Sequence, residues 1–402
     1  MTPLAGPQPP PGSSGALPAT LLFSLALLAA MAPFGIDLYL PAFPGMMSDL
    51  ETTATGVQLT LTSCLLGIAV GQLVFGSLSD RFGRRGPLLL GSALCVAASV
   101  VTATAPTIEV LVIARFVQGL SGAAGVVIGR AVIADTSTGS RAARHLSLMT
   151  AIGGAAPVVA PLIGGILTPL LEWRGILWVL FGIAAAMFVV SILFVPETRV
   201  RAAATPLKRP VGAVRAVLDP HYLAYTGMFV FSFGALMGYI SASPFVYQEI
   251  MGLSATAFGV AFGFNSLLAI SGGLLSARLV MRLGPHRLLG VGLGILSASS
   301  IAVLVLASSG YAWWTFVPLG TASIGVGLVF GNATALALGR VRQFAGTASA
   351  VLGALQFTVG AIVSPLVGIG GSESTLALGI TMTITSLFAT GLFMAIRRGR
   401  TA

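Results

Sequence analysis

The sequence predicts an all-α integral membrane protein of twelve transmembrane helices, arranged as two pseudo-symmetric six-helix bundles. Three observations predict it. Of the 402 residues 56% are hydrophobic and only 8% charged, with a mean hydropathy of +0.98, whereas about a quarter of a soluble domain is charged. Twelve apolar runs follow one another between Leu17 and Ile396, each near the roughly 20 residues that a span requires. The gaps between the runs alternate between arginine-rich and arginine-poor.

Taken in order, the runs are 17–42, 57–78, 88–105, 108–134, 146–170, 175–195, 221–247, 256–280, 288–308, 311–338, 347–370 and 373–396. About 33 residues remain for each span and its connection, too few for a soluble catalytic domain. The even-numbered gaps and the C-terminal tail hold all 21 Lys and Arg residues except Arg115, Arg130 and Arg174, and the odd-numbered gaps hold Asp49, Glu51, Glu109, Glu172, Glu249 and Glu373. Short-loop Lys/Arg bias sets orientation, so both chain ends are expected in the cytoplasm. The net charge of +10 is spread over these loops rather than gathered on one polar face, which excludes a nucleic-acid footprint.

Residues 1–16 are rich in Pro, Gly and Ser and lack the basic start of a signal peptide, so they read as a disordered cytoplasmic tail. The longest polar gap divides the chain into an N-terminal bundle over 17–195, a cytoplasmic linker over 196–220 and a C-terminal bundle over 221–396, with a tail at 397–402. A duplication is suggested by Arg81-Phe82-Gly83-Arg84-Arg85 after the second run and Arg282-Leu283-Gly284-Pro285-His286 after the eighth. Parallel halves with a binding site between them are one plan of secondary transporters. The two cysteines, Cys64 and Cys95, fall at different depths of neighbouring antiparallel runs, so no disulfide is expected.

Ionisable residues inside apolar spans are costly and are usually functional or paired. Asp37 late in the first run and Arg115 early in the fourth share the outer half of the membrane by depth, which permits a pair. Burial favours a carboxyl's neutral form and a guanidinium neighbour its ionised form, so a protein that changes either can load and release a proton. The plainer readings are that Asp37 caps a helix before Pro41, and that Arg115 ties down backbone carbonyls of a broken helix. Ser121, Gly125 and Gly129 recur every fourth residue, a small-residue stripe for close packing or for sliding.

After the second run the chain reads Gly76-Ser77-Leu78-Ser79-Asp80-Arg81-Phe82-Gly83-Arg84-Arg85. This resembles the G-x-L-x-D-R-x-G-R-R signature of the major facilitator superfamily. The resemblance implies that fold and a cytoplasmic gate at Gly76, Asp80, Arg81, Gly83 and Arg84, with Arg130 or Asp135 as partners. Asp37-Leu38-Tyr39-Leu40-Pro41 and Ser243-Pro244-Phe245-Val246-Tyr247 resemble the Bcr/CflA drug:proton antiporter subgroup, known for bicyclomycin and chloramphenicol export. Arg115-Phe116-Val117-Gln118-Gly119 is similar to the fourth-span arginine motif, which implies proton coupling through Asp37 and Arg115. Pro157-Val158-Val159-Ala160-Pro161-Leu162-Ile163-Gly164-Gly165 is similar to the exporters' fifth-span motif, with Ala160 in place of a glycine, and implies a helix bent at Pro161, Gly164 and Gly165.

Candidates to line a drug cavity are Tyr39, Gln118, Pro157, Met237, Tyr239, Asn265 and Gln356, on the principle that an amphipathic ligand wants aromatic and Met surface with few polar hooks. His145, His221 and His286 sit near span ends, no metal-ligand spacing occurs, and no phosphate-cradling G-x-x-x-x-G-K-[ST] loop is present. The expectation is therefore no enzyme, no metal and no bound cofactor, but a monomeric proton-driven exporter of small drugs in the bacterial inner membrane. A proton symporter importing a sugar or metabolite is the alternative, and would want a more polar cavity.

Overall fold

In the computed structural model the described residues are 18–137, 139–198, 215, 217–371 and 374–399. Residues 1–16, most of the 196–220 linker and the last three residues of the tail lie outside them. The helices are α1 (Ala19–Asp37), α2 (Ala54–Phe82), α3 (Arg85–Ala103) and α4 (Ile108–Thr136), then the 56-residue stretch Gly139–Phe194. Next come α7 (Pro220–Phe245), α8 (Ala255–Leu283), α9 (Pro285–Ser308), α10 (Phe316–Arg340), α11 (Ala345–Leu366) and α12 (Leu376–Gly399).

The long stretch is two helices. Glu172 interrupts it with φ 56° and ψ −176°, which separates α5 (139–171) from α6 (173–194). Their contacts show two crossings: His145 meets Ser137 at an arginine-rich end, Trp173 and Arg174 reach Asp49 at the arginine-poor end, and Arg85 donates to the Ile192 carbonyl back at the first end. Twelve membrane-length passages result among the described residues.

The same offset that relates the two basic turns runs through their helices. Thr53 caps α2 by accepting from the Gly56 amide at 3.1 Å, and Ser254, 201 positions on, caps α8 through Ala257 at 3.2 Å. Both helices have 29 residues, and both end at a glycine with positive φ, Gly83 at 95° and Gly284 at 77°. Such backbone is accessible to glycine because it has no Cβ.

The first predicted run, 17–42, is not one helix. The regular helix stops at Asp37 and a 3₁₀ turn spans Leu40–Ala42, because Pro41 has no N–H to continue the ladder. The small-residue stripe of α4 is a packing surface: a Cβ on Gly125 would strike the Leu28 carbonyl at 2.6 Å, and one on Gly129 would meet Met149 at 3.0 Å. One buried cluster lies within each half, around Leu25, Ile128 and Val132 and around Tyr222, Leu293 and Val329. A third joins both halves at the arginine-poor end, where Tyr39, Phe43 and Leu61 share a core with Phe245, Tyr247 and Phe258. Phe43 and Phe245 stand 6.0 Å apart across that seam.

Candidate functional site

Between the halves lies a cavity of about 390 Å³, inside the roughly 300–1,000 Å³ range of small-molecule pockets. Its walls are mostly apolar, with Ile36, Phe233, Phe262 and Phe330 among them. Five of the seven predicted lining residues stand on it: Pro157, Met237, Tyr239, Asn265 and Gln356. Among the described residues Asp37 is its one charged lining residue; it is 3% exposed, and its Oδ1 has no hydrogen-bond partner among them.

Tyr39 and Gln118 are elsewhere. Two positions along a helix is a turn of about 200°, so Tyr39 leaves the end of α1 on the face opposite Asp37. Its hydroxyl bonds Thr60 at 3.1 Å and its ring lies 4.1 Å from the Arg115 guanidinium carbon. Arg115 is wholly buried. It donates to Gln118 Oε1 at 2.6 Å and to the Gly35 carbonyl at 2.5 Å, and Gln118 donates onward to Ser99 at 2.7 Å. Gln118 follows Arg115 by three residues and so shares its helix face, away from the cavity.

The expected Asp37–Arg115 pair is therefore corrected: their depths agree but their directions do not. Arg115 satisfies one of the carbonyls left open at the C-terminal end of α1, as the broken-helix reading anticipated. This holds the short segment that presents Asp37 to the cavity.

At the arginine-rich end, Arg84 bridges two acids. Its guanidinium donates to Asp135 at 2.7 Å and 3.3 Å, to Asp80 at 2.7 Å and to Ser79 at 3.1 Å. Of the two partners considered for this motif, Asp135 forms the pair, while Arg130 has no ion pair among the described residues. Arg81 instead lies over the ring of Phe82 at 5.2 Å. A Cβ on Gly76 would meet Val127 at an ordinary 3.6 Å, whereas one on Gly83 would meet the Glu197 carboxylate at 2.6 Å.

Glu197 is a residue that sequence reasoning missed. Its two oxygens accept from the backbone amides of Arg84 and Arg85 at 2.8 Å and 3.1 Å, which caps the open N–H groups of α3 and suits the positive end of the helix dipole. The available signal was an acid immediately after the sixth run in an otherwise basic linker.

The fifth-span motif works chiefly through α8. Proline at position i leaves the carbonyl of i−4 without its helical donor. Pro161 frees the Pro157 carbonyl, which accepts from Ser266 at 3.0 Å; Pro169 frees the Gly165 carbonyl, which accepts from Thr256 at 2.9 Å. Gly164 lies against the Leu38 carbonyl, and a Cβ on Gly165 would meet the Ala255 carbonyl at 2.6 Å and Gly259 Cα at 3.2 Å. Two further bonds cross the halves, Gln58 to the Ser241 carbonyl and Gln248 to the Pro41 carbonyl, both 3.1 Å. Among the described residues, three of the four cross-half hydrogen bonds lie toward the arginine-poor end and the fourth, Ser266 to Pro157, lies on the cavity wall; the arginine-poor end is closed.

Residues 25–365 match the Major Facilitator Superfamily. This chain belongs to that superfamily. The transporter is 34% identical over 358 residues to a bicyclomycin resistance protein homolog of Haemophilus influenzae, covering 86% of this chain and 88% of that protein. It is 28% identical over 391 residues to the multidrug resistance protein MdtL of Escherichia coli, covering 94% and 96%. A bacterial homolog of the human lysosomal transporter Spinster, in an inward-facing and occupied conformation, superposes with a TM-score of 0.77 over 96% of this chain and 98% of that one, at 17% identity. That likeness is one of fold. The transporter is thus a multi-pass membrane protein built to carry small molecules, and not an enzyme.

Proposed function

We propose that this transporter exports small hydrophobic or amphipathic drugs of the chloramphenicol and bicyclomycin kind in exchange for protons, from the bacterial inner membrane with both chain ends in the cytoplasm. The observation that carries the reading is an unpaired carboxyl, Asp37, the one charged group among the described residues on the wall of a mostly apolar cavity between the halves. A carboxyl without a cation beside it can take a proton from one side and release it to the other as the halves rock. Drug and proton then compete for one state of the cavity.

The arginine-rich ends support the orientation through the positive-inside rule. The relatives named for bicyclomycin and multidrug resistance support the cargo, and so do the apolar walls, which suit a greasy ligand better than a sugar. Arg115 acts as a positioning residue for the end of α1, and the Arg84–Asp80–Asp135 cluster as the cytoplasmic gate.

The test is proton release from the detergent-purified protein on addition of chloramphenicol or bicyclomycin, together with growth of a pump-deficient bacterial host on both drugs. Asp37→Asn is expected to abolish proton release and uphill export. Uphill export that survives in Asp37→Asn removes Asp37 from the mechanism.

A further inference from the structure

The two seams between the halves bound the cavity unequally. From the N-terminal half its lining comes from α1 and α5, through residues such as Ile36, Asp37, Gly154 and Pro157, and among the described residues none of α2 takes part. The α2–α11 seam stays shut on both sides of the level of Gln356. Toward the arginine-poor end a Cβ on Gly368 would strike Gln58 Oε1, and toward the arginine-rich end one on Gly353 would meet Gln72 Oε1 at 2.9 Å. Gln58 and Gln72 lie about 21 Å apart along α2, at the rise of an α-helix.

The α5–α8 seam ends sooner. Toward the arginine-rich end, its last hydrogen bond among the described residues is Ser266 to the Pro157 carbonyl at 3.0 Å, on the cavity wall itself. One turn further along α5, Gly154 lines the cavity, is exposed, and has no atom within 4 Å of where a Cβ would stand. On α8, Ile270 lines the cavity too. It is also 38% exposed and falls within the exposed stripe Val260, Phe264, Leu267 and Leu274, whose three- and four-residue spacing is one face of a helix. Exposed apolar side chains on a span belong against hydrocarbon, so Ile270 stands on the cavity wall and at the lipid face at once. Neither side of the gap carries charge: α5 has none over 146–171 and α8 none over 255–277.

We infer that the cavity opens sideways into the bilayer between α5 and α8, and that uncharged ligand reaches it through this gap from the leaflet at the arginine-rich end. Glycine at position 154 leaves the gap free. A neutral amphipathic molecule concentrates in hydrocarbon through its own transfer free energy, so an opening there meets it at a higher concentration than water offers. A charged molecule is held back by the cost of entering hydrocarbon. The α2–α11 seam offers no such path. The inference rests on the drug-export reading and adds the route its cargo takes.

Two measurements on the full chain in lipid bilayers test it. In the first, with Cys64 and Cys95 changed to alanine, a nitroxide is attached at Gly154→Cys and, in a second protein, at Phe357→Cys, which lines the cavity from α11 behind the shut seam. Its collisions with oxygen, which partitions into hydrocarbon, are compared with its collisions with a water-soluble nickel chelate. Oxygen is expected to dominate at the Gly154 site and not at the Phe357 site. Dominance of the nickel chelate at the Gly154 site, as a water-filled mouth gives, overturns the inference, and so does an equal response at both sites. The second measurement follows the binding kinetics of radiolabelled chloramphenicol in Gly154→Leu. A plug in a doorway slows entry and exit alike, so association and dissociation should both fall about tenfold with Kd unchanged. A changed Kd at an unchanged association rate makes Gly154 a plain wall residue and overturns the route. Should Gly154→Leu not fold, Ile270→Trp takes its place on the other side of the gap. Absence of chloramphenicol binding to the wild type overturns the export reading for that drug, and the collision data then still decide whether the cavity opens to the bilayer.

Discussion

Thr256→Val is a near-isosteric change that removes only the hydroxyl donating to the Gly165 carbonyl at 2.9 Å. That carbonyl has no helical donor because position 169 is proline, so losing Thr256 leaves it unpaired at the seam between α5 and α8. Interhelical hydrogen bonds in membranes average about 0.6 kcal/mol with a maximum near 1.7, and an orphaned carbonyl belongs toward the upper end, at about 1 kcal/mol. Thr256→Val should therefore shift the closed-to-open equilibrium at the arginine-poor end about fivefold toward open. Pro169→Ala restores an N–H that can bond the Gly165 carbonyl within α5. In that background Thr256→Val should have almost no effect, giving a coupling energy of about 1 kcal/mol in the double-mutant cycle. The assay is electron-electron resonance between spin labels at exposed Glu109 and Ser308, one in each half, with the buried Cys64 and Cys95 changed to alanine. An unchanged distance distribution in Thr256→Val, or an equal shift with and without Pro169, refutes the argument that proline-freed carbonyls hold this seam.

Gly259→Val should wedge the same end apart, because a Cβ there would run into the Pro161 carbonyl; the same spin labels should report a longer separation and the purified protein a lower melting temperature. Gly83→Ala should destabilise by about 1–3 kcal/mol because φ 95° with ψ 174° is essentially glycine-only backbone. Glu197→Ala in the Gly83→Ala background should relieve the clash but not the backbone strain, so thermal unfolding should show only partial recovery. Glu197→Ala alone should cost about 1 kcal/mol through loss of the cap on α3. Arg115→Lys keeps the charge but cannot hold Gln118 and the Gly35 carbonyl with one planar fork, and should lower the unfolding free energy by about 1–3 kcal/mol, read from the loss of helical signal on heating.

Span number and the internal repeat are properties of chain order and were legible from residues alone, whereas edges such as that of the run over 17–42, whose regular helix stops at Asp37, were not. The repeat is clearest at Gly83 and Gly284, where glycine is needed because the chain turns through positive φ. Asp37 and Arg115 stood out because charge within hydrocarbon is scarce, and Arg84 and Asp135 through the resemblance of the loop after the second run to the superfamily signature. Depth was legible too, since one residue advances a helix by about 1.5 Å. What linear order does not carry is the rotation of each helix about its axis. That rotation sent Asp37 to the cavity and Tyr39, Arg115 and Gln118 into the packing of the N-terminal half, and it separated a pair that depth alone allowed.

Partnerships between distant segments were equally out of reach. Glu197 with the start of α3, and Ser266 and Thr256 of α8 with the freed carbonyls of α5, are joined by how helices dock rather than by any local pattern, although the positions needing a donor could have been counted back four residues from each proline. Sequence alone thus determined a twelve-helix transporter, its two halves and its scarce charges, because hydrophobic periodicity and side-chain cost act locally. Only the tertiary structure decided which of those charges face the ligand and which hold the scaffold, because that depends on the azimuth at which packed helices meet.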